Sequence, residues 1–178
     1  MNRLRLLIVL IFSFLISNST FSQENTVKEL LKEIDINEVV NDTLNLSIIN
    51  FFKGEEKGEF VSNERIKDLY SIINSLKGKA VLNANNTLLF FKLRKIIKKN
   101  VELSEYMAEC ITDIALESQN NFIIAFYLSD DELKEKIESD LFWLIEIDKY
   151  STFKEKLNSS ALKEEFNIVV DRLSKLDE

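Results

Sequence analysis

Histidine is missing from all 178 residues. Its absence removes the commonest general base, the base of Ser-His and Cys-His nucleophile pairs, and the commonest zinc ligand. Proline is absent as well, and glycine occurs only as Gly54, Gly58 and Gly78. The residues that punctuate β-meanders are thus nearly missing, whereas long helices tolerate such a composition. The same scarcity excludes a P-loop or a dinucleotide turn, each of which needs several glycines within roughly six to eight residues. A single cysteine, Cys110, permits no internal disulfide, so an apolar core must hold the fold alone. Cys110 falls in the series Leu103, Met107, Cys110, Ile111 and Ile114, which places it in that core rather than in an intermolecular bridge.

What is present begins with an export signal. Arg3 and Arg5 precede the apolar run Leu6 to Ile16, and Thr20 and Ser22 supply small residues before Gln23. This is the build of a cleavable secretory signal peptide over residues 1–22. A membrane span needs roughly 20 apolar residues, and Ser17-Asn18-Ser19-Thr20 turns this stretch polar well before that length. Gln23, not cysteine, follows the expected cut, and the final residues Asp171 to Glu178 are polar, so no lipid anchor is expected. The mature chain, residues 23–178, is expected to be one soluble helical domain, periplasmic or extracellular, without a stable membrane anchor. Losing Arg3 and Arg5 makes it more acidic than the net charge of −7 of the full chain, which disfavours nucleic acid as a partner.

Beyond Gln23, apolar residues recur at helical spacing. Val27, Leu30, Leu31 and Ile34 line a first helix opened by Thr26, and Val40, Leu44, Ile48, Phe51 and Phe52 line a second that ends in a flexible loop at Gly54 to Gly58. A third, with Ser62 as cap and Gly78 as stop, carries Ile66, Leu69, Tyr70, Ile73 and Leu76. Residues 79–85 either extend that helix or cross over. Further helices are expected near 86–99, 104–117, 120–128, 130–149 and 160–176, which predicts an all-α fold of seven to nine helices. Asn85 to Leu93 aligns 35 residues later with Asn120 to Leu128, and Ser104-Glu105-Tyr106-Met107 falls opposite Ser139-Asp140-Leu141-Phe142. That spacing suits an α-hairpin unit of HEAT or tetratricopeptide-like architecture, without the consensus Gly, Ala and Pro positions of tetratricopeptides. An irregular helical bundle is the reading preferred over true repeats.

No catalytic constellation emerges. Two S-x-x-K spacings, at Ser151 and Ser160, lack every accompanying element of penicillin-recognising enzymes and are explained by helix capping. Glu105, Glu109, Asp113 and Glu117 form an acidic row that an antiparallel helix bearing Lys92, Lys95 and Lys99 would screen; a cationic partner or a weak calcium site is the other use of such a row. Ser129-Asp130-Asp131-Glu132 reads as a capping box that starts a helix, and the carboxylates of its first turn meet the N-terminal dipole. In the expected 130–149 helix, Trp143, Ile147 and Tyr150 make a second apolar face, and they are the candidate binding residues. No cofactor, metal or catalytic residue is expected. The leading functional expectation is an exported protein-binding module, such as an adaptor or an inhibitor or immunity-type protein. The alternatives are a carboxylate-dependent envelope hydrolase and a lipid or small-molecule carrier.

Overall fold

A computed structural model describes residues 27–37, 39–57, 63–141 and 150–158. Among them are eight helices and no strand: α1 (residues 27–36), α2 (Asp42–Lys57), α3 (Asn63–Ala80), α4 (Ala84–Ile96), α5 (Val101–Glu117), α6 (Gln119–Tyr127), α7 (Asp131–Asp140) and α8 (Tyr150–Asn158). The chain is all-α. The leader assigned to residues 1–22, the expected caps Thr26 and Ser62, and the final expected helix lie outside the described residues.

Short polar side chains set several of the helix starts. Asn83 Oδ1 accepts from the Asn85 amide at 2.8 Å, Asn100 Oδ1 from Leu103 at 2.9 Å and Asp130 Oδ1 from Leu133 at 2.8 Å. Each satisfies a backbone donor that the first turn of a helix leaves unpaired. Asn100 therefore opens α5 at Val101, ahead of the expected start at Ser104.

Two glycine assignments are corrected. Gly78 does not stop α3, which continues to Ala80; Gly54 does not open a loop, since α2 runs on to Lys57. A Cβ at either position would meet no atom within 4 Å, so neither backbone needs glycine and a helix passes through both. The far end of α2 is also tied down, because Glu56 Oε1 accepts from the amides of Lys98 and Lys99 at 2.9 and 2.7 Å.

The α3–α4 corner is a tight turn through Val81 and Leu82. Its exposed carbonyls are taken up by side chains: Thr87 Oγ1 donates to Ala80 O at 2.7 Å, Asn86 Nδ2 to Lys79 O at 3.2 Å, and Asn121 Nδ2 to Val81 O at 3.0 Å. Asn86 Oδ1 in turn accepts from the Val40 amide at 2.9 Å, just before α2. Asn86 and Thr87 are buried, and buried polar groups of this kind are tolerated only when paired.

These bonds hold α4 at the centre. It contacts α2, α3, α5, α6 and α7, and Leu89, Phe90, Phe91, Leu93 and Arg94 are all buried along it. A helix covered on several sides has no single polar face, which is why its apolar periodicity is weak. Phe91 meets Phe122 of α6 edge to face, with ring centroids 5.2 Å apart, and Phe122 lies parallel to Phe126 at 6.4 Å. Contacts also join α3 to α5, α5 to α6, α7 and α8, so most helices touch their second neighbour in sequence. The aligned segments 85–93 and 120–128 fall at corresponding places in α4 and α6. Their continuation does not correspond, because Ser104 lies in the first turn of α5 and Ser139 at the end of α7.

Candidate binding groove

Of the residues expected to form a binding patch, Trp143 and Ile147 lie outside the described residues, and only the backbone of Tyr150 is described. The helix expected to run to about Lys149 ends at Asp140, where the Leu141 amide closes it onto Ile137 O and Glu138 O. Tyr150 opens the separate helix α8.

The charge rows also pair differently from expectation. Asp113 of the acidic row forms an ion pair with Lys77 of α3, and Glu102, about three turns earlier on α5, accepts from Tyr70 Oη of α3 at 2.9 Å. The row therefore faces α3, not the lysines of α4. Burial together with the hydrogen bond to Glu102 pushes the Tyr70 hydroxyl up to about 12. Lys95 of α4 reaches instead to the start of α7, lying 3.3 Å from Asp130 and 2.7 Å from Glu132. The hydrogen bond from the Leu133 amide, with Lys95 beside it, lowers the Asp130 carboxyl. Among the described residues no cluster of three metal-ligating side chains occurs, and no helix is long and apolar enough to cross a membrane.

Cys110 is free and buried, and burial raises its thiol to about 11. A thiol so protonated and covered is a poor nucleophile. Near pH 8, its reaction with a chromogenic aromatic disulfide should be about a hundred-fold slower in native protein than in guanidinium chloride. Equal rates would place the thiol at the surface.

Between α2, α4 and the α6–α7 turn the chain forms an open groove of about 710 Å³. Its floor is apolar: Ile49 from α2, Leu88 and Ile96 from α4, Leu128 from the turn and Leu133 from α7. Leu128 is 55% exposed, so this surface is offered to solvent rather than sealed in the core. Around the floor stand Lys53, Lys92, Lys95 and Lys98, against only two carboxylates, Glu56 and Asp130. On a chain with a net charge of −7, this is a local reversal of sign.

Both groove carboxylates hold backbone, though Glu56 does so through one oxygen and its Oε2 is buried without a hydrogen-bond partner. Glu56 Oε1 carries the Lys98 and Lys99 amides, and Asp130 caps α7 while pairing with Lys95. Lys53, Lys92 and Lys98 have no ionic partner among the described residues. A second depression of about 410 Å³ adjoins the first, sharing Ile49, Leu88 and Lys92 with it and extending to Val39 and Asn85. On the α4 side, Leu88, Lys92 and Ile96 lie at i, i+4 and i+8 and make one line along the helix. Sequence reading missed this groove because its parts come from α2, α4 and α7, and none of those helices has an unusual pattern alone. The lysine row on α4 was its one visible sign.

The chain matches no known protein family, curated protein or solved structure. Its class is therefore stated by its fold, an all-α protein with a cationic, apolar-floored groove.

Proposed function

We propose that this is an exported, non-catalytic protein-binding module of adaptor or inhibitor type, built as a short stack of α-hairpins, whose docking surface is the α2–α4 groove. The observation that carries the reading is the open apolar floor formed by Ile49, Leu88, Ile96 and Leu128. An apolar strip open along its length suits a macromolecular segment. A small-molecule carrier would instead enclose its ligand, and Asp130, which caps α7 and pairs with Lys95, is already committed to structural contacts. The contacts from α2 to α4 to α6 and from α3 to α5 to α7 support two layers of stacked hairpins, in which α2, α4 and α6 share a layer. Export rests on the charged start, apolar run and small residues of the first 22 positions.

The test uses the chain recovered outside the cytoplasm, whose first residue should be Gln23. Cross-linking in the native envelope or medium should capture the same partner with wild-type protein and with the control Glu109→Lys, which changes an exposed residue of α5, a helix that lines neither depression. Leu88→Asp should lose it. Capture that survives Leu88→Asp but not Trp143→Ala with Tyr150→Ala would move the docking surface to the patch expected from sequence. A chain found only in the cytosol with residues 1–22 attached would overturn export.

A further inference from the structure

Resting on the groove as a docking surface, we infer that its occupant is an acidic amphipathic helix of a partner protein. Three lysines without an ionic partner among the described residues, Lys53, Lys92 and Lys98, border the apolar floor on a chain of net charge −7. Like charges gathered without partners repel one another, so the cluster is relieved when carboxylates arrive between them. The floor asks for apolar side chains and the rim for negative ones. A helix with an apolar stripe flanked by Asp and Glu supplies both on one face.

The dimensions agree. The two adjoining depressions follow α4 from Asn85 to Lys98, about 20 Å at the rise of an α-helix. That length accepts three to four turns of a partner helix. A nucleic acid is disfavoured because it carries a charge about every 1.7 Å and extends past the few groove lysines onto the acidic remainder of the chain, whereas a short helix ends within them. The rim lysines are exposed or half-exposed, so their attraction acts through water, speeds association and weakens with salt.

The probe is a fluorescent 18-residue synthetic helix with leucines at helical spacing flanked by glutamates, compared with a twin carrying lysines in their place. Fluorescence anisotropy with the purified protein should show the acidic helix binding at least ten-fold more tightly, with the difference shrinking as salt rises. The triple variant Lys53→Glu, Lys92→Glu, Lys98→Glu, checked for an unchanged helical circular dichroism spectrum, should reverse the preference. Its lysines carry no ionic partner among the described residues, so folding does not depend on them. If both helices bind equally and Leu88→Asp abolishes both, the groove stands and the acidic occupant is overturned. If neither binds to folded protein, groove and occupant fail together. Two further results also overturn the inference: laurate binding that needs the lysines without any helix binding, and a dimer of this chain that the triple variant dissolves.

Discussion

Arg94→Ala is expected to destabilise the protein by about 3–5 kcal/mol, read as a lower urea midpoint by circular dichroism. The guanidinium is buried at 4% exposure and meets Asp140, itself 3% exposed, through two bonds: Nε to Oδ2 and Nη2 to Oδ1, each 2.8 Å. Its Nη1 also donates to Ser104 Oγ at 2.8 Å and to Ile97 O at 3.4 Å. One side chain thus ties the end of α4 to the first turn of α5 and the last residue of α7. Removing it strands a buried carboxylate, with Lys136 at 3.6 Å to answer it, and takes the Arg94 donor from four acceptor atoms.

The intact pair is not therefore a large net gain. Burial raises the Asp140 carboxyl above its ordinary value, while Arg94 and Lys136 pull it back, so desolvation outweighs the attraction. A carboxyl raised in the folded state favours folding below its unfolded value near 3.8, and that advantage is lost as pH rises through the folded value. Replacing both partners, Arg94→Met with Asp140→Leu, should restore or exceed wild-type stability near pH 7. The double variant's standing relative to wild type should improve from about pH 3.5 to pH 7. A double variant as unstable as Arg94→Ala would show that the ionic contact itself holds α4 and α7.

Phe91→Ala should cost a similar amount, about 3–5 kcal/mol, because it removes a fully buried ring and leaves a cavity that the neighbouring helices fill only in part. Phe91 is 0% exposed and packs edge to face on Phe122. The loss falls on the contact between α4 and α6, which are among the most closely associated helices in the fold. Phe91→Leu should lose clearly less, since it keeps most of the volume. A double-mutant cycle of Phe91→Leu and Phe122→Leu should return a coupling of about 0.5–1.5 kcal/mol, the range for edge-to-face rings. Zero coupling would mean that the two rings contribute area alone.

Local pattern carried much of the fold. Leu30, Ile34, Leu44, Ile48, Phe52, Leu69, Ile73, Leu76, Met107, Cys110, Ile111 and Ile114 are buried, as their recurrence along helical faces requires. The start of α7 was legible to within one residue, because an N-cap acts within one turn: Asp130 is the cap, while Ser129, the expected one, donates instead to Ala125 O at 2.8 Å. Termination was less so. Gly54 and Gly78 resemble stops in one dimension, yet a glycine costs a helix only about 1 kcal/mol, and beyond Gly54 the end of α2 is held through Glu56 by the distant Lys98 and Lys99 amides.

The sequence by itself determined the helical class, the faces that make the core and the lack of histidine-based chemistry, since each is a matter of composition or of residues within a turn or two. Only the tertiary structure decided that Arg94 is buried beside Asp140, 46 positions away. It alone sent the acidic row of α5 to α3 and assembled Lys53, Lys92 and Lys98 around one apolar floor. Coulomb energy depends on distance in space, and separation along the chain does not reveal which helices the packing brings side by side.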